Sequence, residues 1–362
     1  MKIKFLIVFC FFSYYIHSQG IKSINQCYEF TIYDGSESST MHQFNKNYLS
    51  SYRLFSRTLD ELISNKKLNM GVKFLAISLF GQPYTHEEGH RSVLTSKGIG
   101  SISQPFFNSN GAAYVKGVKD SELISLRNND LPYYARLHSA GLESDYMIAN
   151  RIEELVFFEE ESYSVLKEEY LLRKLGILNY HLTTLFPALF PEFTEEKDEL
   201  KRDIVGHDLW GFVRHLHRPN MTFYRYTQFD DLTSLEKKYA KGLAYKSLAN
   251  FLSPMLFGKN SFDINPNLQA NFSIGHSLSP FGDYFEQNFF LYYKKKYKVV
   301  FYLREFMNRN HTFLASGVKL YHYKLSDKVT TSFGLDVWNQ PDNLSFTNTA
   351  HQIGGNIYAK LN

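Results

Sequence analysis

The chain has few cysteines for its length, since only two occur among 362 residues. Cys10 falls in an N-terminal apolar stretch, so removal of that stretch leaves Cys27 as the lone thiol. A single thiol excludes an internal disulfide, and the mature chain must be held together by packing. The chain also lacks a large excess of charge of either sign, because its formal net charge is only +4. A nucleic-acid partner is therefore not expected.

The N-terminus has the layout of a secretory signal peptide, predicted over residues 1–18 with cleavage after Ser18. Lys2 and Lys4 precede an apolar run at residues 5–12, which is too short for a comfortable membrane span. The bulky Phe9 before Cys10 argues against a lipoprotein site. The sequence thus predicts an exported protein of the periplasm, the outer membrane or the cell surface.

The hydrophobic period changes near residue 259, which predicts an α+β fold. Residues 19–258 carry mainly helical spacing, including a long acidic periodic segment at residues 142–175. Residues 259–362 alternate with the period of two that marks strands, as at residues 329–337. The prediction is a helical region, followed by an antiparallel meander of about six strands.

The most informative motif is His86-Glu87-Glu88-Gly89-His90, of the form H-E-x-x-H. On a helix, residues four apart lie one turn above each other, so both imidazoles can face one metal ion. Glu87 would then lie beside the open position of the metal as a general base. His86 and His90 are therefore candidate metal ligands, and Glu87 is a candidate catalytic residue.

The context of the motif favours a helix. Pro83 is expected to end the preceding segment, and the spacing of Thr85 and Glu88 is that of a capping box. Gly98 is a plausible end. The alternative is an ordinary capped helix without a metal, whose early glutamates favour its dipole.

A zinc site needs at least a third protein ligand. Our first candidate is Glu143, at the start of the long acidic segment. Asp145 is a competing ligand, or an outer partner that orients a ligand histidine. Alternatively, both carboxylates only charge a helix N-terminus.

A second cluster lies between residues 203 and 217 and also contains Asp208. Asp203, His207 and Gly211 are spaced four apart, with Arg214 and His215 one turn further. The cluster could supply the third ligand, an oxyanion-stabilising histidine or arginine, or a clamp for a substrate carboxylate. His207, Arg214 and His215 are therefore candidate catalytic residues. The alternative is a set of partly buried polar side chains near a turn.

On these residues the chain resembles the H-E-x-x-H zinc metallopeptidases, or zincins, and a Glu143 ligand would match their gluzincin branch. Gly89 makes the motif similar to that of site-2 proteases, but the apolar run before it is short and no L-D-G sequence follows. The third histidine of metzincins is missing from residues 91–100. The resemblance implies Zn²⁺ as the cofactor and a peptide or protein as the substrate.

A non-catalytic function stays open as the alternative. The β region has aromatic residues on both faces, as at Phe289 and Phe290. That pattern is compatible with a membrane-surface or envelope contact through the β region. In this interpretation the protein is a structural or binding component associated with the envelope or outer membrane, and its H-E-x-x-H sequence is incidental.

Overall fold

The computed structural model describes residues 40–106, 113–189, 195–324 and 329–361. The predicted signal peptide and both cysteines lie outside the described residues. Within them the order of elements confirms the α+β prediction, because helices come first and an antiparallel sheet follows. No helix in the described part of the chain is both long and apolar enough to cross a membrane.

The helical region surrounds one long central helix, α5, which packs against α3, α6 and α7. Its 27 residues are mostly buried because apolar and small side chains occur on nearly every face. The helices are α1 (Met41–Leu62), α2 (Lys66–Ala76), α3 (Gln82–Ser96), α4 (Asp120–Asn129), α5 (Leu131–Phe157), α6 (Tyr163–Leu182), α7 (Asp208–His217) and α8 (Ser234–Lys246).

The long acidic segment predicted at residues 142–175 is two helices rather than one. The chain reverses between α5 and α6, where Glu159 adopts a left-handed conformation with φ 56°. Glu161 then fixes the reversal by accepting from Arg53 Nε at 2.8 Å and Arg57 Nη2 at 2.6 Å, both on α1. Apolar residues at helical spacing lie on both sides of the break, so the segment looks like one helix although residues 159–162 are four polar residues in succession.

Two strands form a small hairpin beside α3, and seven form a large meander. β1 pairs with β2, and β3 to β9 pair strictly with their neighbours in chain order. The prediction of about six strands was thus one short. The strands are β1 (Ile102–Gln104), β2 (Tyr114–Lys116), β3 (Phe262–Asn265), β4 (Leu268–Ser279), β5 (Gly282–Tyr293), β6 (Tyr297–Met307), β7 (Thr312–Lys324), β8 (Thr330–Pro341) and β9 (His351–Leu361).

The helices and the meander share buried contacts. Phe157 and Phe158 at the end of α5 pack with Phe290 and Val300 of the sheet. Asn150 of α5 donates to Glu286 Oε1 of β5 at 2.8 Å. One face of the sheet is therefore covered by α5, and the other faces away from the helices.

Candidate metal centre

The H-E-x-x-H motif lies on a helix that starts well before it. The run from α2 to α3 is helical without a break, because a π-helical turn at Ile77–Gly81 joins the two. The predicted helix start at Thr85 is therefore wrong. Pro83 is tolerated because it lies in the first turn after the π turn, and Thr85 Oγ1 bonds back to the Gly81 carbonyl at 3.0 Å.

Two glycines let α3 approach α5 closely. Gly89 lies against the Ala140 carbonyl, and a Cβ atom there would stand 2.5 Å from that oxygen. Gly141, on α5, lies against the imidazole of His86, where a Cβ atom would overlap the ring. The glycine in the motif thus has a packing reason in this fold.

Both histidines are oriented through their Nδ1 atoms. His90 Nδ1 donates to the Leu137 carbonyl at 2.7 Å, and His86 Nδ1 lies 3.3 Å from Asp145 Oδ2. A histidine that donates through Nδ1 presents the lone pair of Nε2, and metal-binding histidines are commonly fixed in this way. The two rings lie one helical turn apart, with centroids separated by 5.1 Å.

Asp208 faces both of these Nε2 atoms from α7. Its Oδ2 lies 3.1 Å from His86 Nε2 and 3.4 Å from His90 Nε2. Neither contact has the angles of a hydrogen bond, so Oδ2 is a buried acceptor without a hydrogen-bonding partner among the described residues. The ligand atoms of the three side chains lie within 4.8 Å of one another.

The group of His86, His90 and Asp208 could therefore hold a metal ion. Two imidazole Nε2 atoms and one carboxylate oxygen converge within reach of a single cation. Asp208 is also the first residue of α7, where the helix dipole favours a negative charge.

Asp145 belongs to a buried polar network behind the site. Arg173 Nη1 donates to Asp145 Oδ1 at 2.5 Å, and Arg173 Nε donates to Glu169 Oε1 at 2.7 Å. Tyr48 of α1 donates to Glu169 at 2.8 Å. Because Arg173 and Glu169 are fully buried, this network holds the carboxylate of Asp145 at a fixed position against His86.

The charges of the group are coupled. Burial by itself raises the pKa of Asp208, but His90 and His86 outweigh it and hold that pKa well below its usual range. Burial lowers the pKa of His86, but its contacts with Asp145 and Asp208 raise it overall. The metal-free group is thus a buried, mutually stabilised ion cluster.

The pKa of Glu87 is governed by burial, unlike that of Asp208, which the two histidines hold low. Glu87 is 7% exposed, and burial raises its pKa to about 7, against the opposing effect of His86 and His90. A carboxyl with this pKa can exchange a proton near neutral pH, as a general base must. Solvent reaches the site at His86, whose side chain is 13% exposed, whereas that of His90 is 1% exposed.

Comparison with protein-family models, curated proteins and solved structures found no match.

The structure does not bring Glu143 to the histidine pair. Its carboxylate accepts two hydrogen bonds from Arg136 instead, at 2.9 and 2.8 Å. Glu143 and Asp145 have different surroundings because residues two apart on a helix face different directions. Of the two, Asp145 is the one that contacts His86, and it does so at Nδ1, as an outer partner rather than at the metal-facing atom.

The remaining candidates of the second cluster are engaged elsewhere. His207 caps α7, stacks on Trp210 with centroids 3.7 Å apart, and lies 3.0 Å from Thr183 Oγ1. Arg214 donates to the Tyr224 carbonyl at 2.5 Å and lies 2.8 Å from His215 Nε2. These contacts stabilise α7, which in turn places Asp208.

Tyr180 is a site residue that the sequence did not indicate. Its ring stacks on His86 with centroids 5.8 Å apart, and its hydroxyl accepts from the Asp208 amide at 3.4 Å. It lies near the end of α6, outside every motif that the sequence analysis singled out. Asp208 itself lay within the second cluster, but nothing in the sequence singled it out over its neighbours.

Proposed function

We propose that the chain is an exported zinc-dependent peptidase that hydrolyses peptide bonds in peptide or protein substrates. The observation that carries the proposal is the convergence of His86 Nε2, His90 Nε2 and Asp208 Oδ2. The buried carboxyl of Glu87 interacts electrostatically with both histidines. Two imidazoles and one carboxylate are a donor set that suits zinc with one position open for water or substrate.

His86, His90 and Asp208 would hold the metal. Zinc, when bound, would lower the pKa of a water molecule towards about 7 and polarise the carbonyl of the scissile bond. Glu87 would take the proton of the attacking water, since its own pKa is about 7 in the metal-free protein. It would then pass this proton to the leaving amine.

The residues around the reacting groups have supporting functions. Asp145 and the Leu137 carbonyl would keep both imidazoles in the ligating tautomer. Tyr180 covers one face of His86 and restricts access of water to that side. The opening at His86 would admit the substrate.

The experiment compares two adjacent glutamates of the motif. Glu87→Gln should reduce hydrolysis of unfolded protein substrates by about 10²–10⁴-fold, the usual contribution of a general base, without changing zinc content. Glu88→Gln is the matched control, because Glu88 is bonded to Arg91 and Ser103 rather than facing the ligands. It should keep activity within a few-fold.

Two results would contradict the proposal. One is a zinc-loaded parent chain that hydrolyses none of a panel of peptide and unfolded protein substrates. The other is equal loss of activity in both glutamine variants, which would indicate a general effect on the helix rather than a base at Glu87.

A further inference from the structure

The face of the large sheet that points away from the helices is apolar. Side chains alternate along each strand, so that on β5 Asn288, Phe290 and Tyr292 are buried against the helices while Phe289 and Leu291 are exposed. Directly opposed residues continue the exposed face across six strands. One such row is Phe272, Phe289, Phe301, Val318, Leu335 and Ile357.

The rows on either side of this one are also mainly apolar. The row towards the β5–β6 turn contains Ala270, Leu291, Val299, Leu320, Phe333 and Ala359. The row on the other side contains Ile274, Gln287, Leu303, Ser316, Val337 and Gly355. We call these three rows the outer band. Its 18 positions contain two polar side chains and no charged one.

The opposite face of the same strands carries polar and charged side chains beside the aromatic cluster of Phe290 and Tyr292. Glu286 is buried and ion-paired with Arg304, and Tyr302 donates to Asp336 Oδ1 at 2.6 Å. Antiparallel sheets in water normally place the apolar face inward and the polar face outward. Here charged side chains lie on the covered face, as Glu286 and Arg304 do, while the outer band has none.

The dimensions of the outer band limit what could cover it. Three rows along strands that rise about 3.3 Å per residue, over six strands about 4.8 Å apart, give about 20 Å by 29 Å. The footprint of about 580 Å² is near the upper limit for exposed patches of monomers. As the share of one partner, it lies at the low end of standard protein interfaces, which bury about 600–1,000 Å² per partner.

The polar content of the outer band also argues against a protein partner. An interface that buries this area on both partners would contain roughly six to twelve hydrogen bonds, at about one per 100–200 Å² of total buried surface. Gln287 and Ser316 are the polar side chains that the band offers. A hydrocarbon layer requires no directional partner, so it fits such a surface better.

Tyrosines and lysines lie at one end of the band. Tyr293, Tyr297 and Tyr323 stack in succession across three strands, with centroids 6.1 and 5.8 Å apart. Lys294 and Lys296 lie exposed in the adjacent turn. Tyrosines with an apolar body and a polar tip are enriched at membrane interfaces, and lysines there attract anionic headgroups.

We propose that the outer band lies on a lipid bilayer that contains anionic headgroups, with the tyrosines and lysines at the headgroup level. The sheet docks by its face, and the helical layer with the candidate metal centre stays on the aqueous side. The proposal rests on the sheet alone, so it stands or falls independently of the peptidase proposal.

The experiment is flotation of the full chain with vesicles of phosphatidylcholine, with and without phosphatidylglycerol. The parent should float with both, and more completely with the anionic vesicles. Leu335→Glu should reduce the bound fraction by about tenfold or more, because it places a charge in the band. The matched control is Leu235→Glu, a change of the same kind at an exposed residue of α8, which should leave binding unchanged.

Lys294→Glu combined with Lys296→Glu should remove the preference for anionic vesicles while keeping residual binding. Circular dichroism verifies that each variant remains folded. A parent that does not float with either vesicle overturns the proposal. A dimer would also overturn it. In that case light scattering gives the parent twice the mass of one chain, and Leu335→Glu converts it to a monomer, because a second copy covers the outer band.

Discussion

Gly141 of α5 leaves the space in which the imidazole ring of His86 lies. The ligand position on α3 thus depends on the absence of a side chain on another helix. The relation is reciprocal, because Gly89 of α3 lies against the backbone of α5 one residue earlier, at Ala140. The candidate metal centre is built on this close helix contact.

Gly141→Ala should therefore displace His86 and weaken metal binding. Zinc affinity, measured by competition with a chelating dye, should fall by at least tenfold because the Cβ atom overlaps the ring. Gly71→Ala is the control, since nothing lies within 4 Å of a Cβ atom at that helical position. It should raise the free energy of unfolding by about 0.5–1 kcal/mol. Unchanged zinc affinity in Gly141→Ala would contradict the packing described.

Glu143 was predicted as a metal ligand, whereas the structure places Asp145 against His86, and variants of the two residues distinguish these roles. Asp145→Asn should lower zinc affinity by about 10–100-fold, the usual cost of losing an outer partner of a ligand histidine. Glu143→Gln should leave zinc affinity unchanged, because Glu143 pairs with Arg136. Isothermal titration of zinc into both variants measures this. Greater loss in Glu143→Gln would restore the gluzincin-like ligand set.

Acid should weaken the contact between α1 and the α5–α6 turn. Burial raises the pKa of Glu161, but hydrogen bonds from Arg57 and Arg53 hold it below its usual 4.5. A carboxyl whose pKa is lowered by folding stabilises the protein above its unfolded pKa. That stability is lost as the pH falls from about 4.5 through the folded value.

Glu161→Gln should therefore cost about 1–3 kcal/mol in the free energy of unfolding at pH 6. The difference from the parent should shrink as the pH falls below about 4.5 and through the lowered pKa of Glu161. Urea unfolding at a series of pH values measures both free energies. A difference that is constant with pH would show that the ionised form of Glu161 does not stabilise the fold.

The prediction from sequence was best where periodicity is strong. The alternation at residues 329–337 indicated a strand, and the structure places β8 at Thr330–Pro341. It was weakest where a boundary depends on tertiary contacts. The start of α3 was misplaced because the π turn at Ile77–Gly81 continues the helix up to Pro83. The reversal near Glu159 was missed because apolar residues at helical spacing lie on both sides of it.

The candidate site shows the same limit. His86, Glu87 and His90 were found because one helix turn brings them together, a relation that lies within five residues. Asp208 follows the motif by more than 100 residues, so only packing of α7 against α5 brings it to the pair. The sequence could not decide which of Glu143 and Asp145 faces the histidines, since their spacing does not encode the rotation of α5 about its axis.

The most direct test of the metal centre is the zinc content of the purified full chain. After zinc loading and dialysis, elemental analysis should give about one zinc per parent chain, and the same value in Glu88→Gln. Asp208→Asn and the His86→Ala/His90→Ala double variant should retain little zinc while circular dichroism shows a folded chain. A parent without zinc, or an Asp208→Asn chain that retains it fully, would contradict the assignment of these three residues.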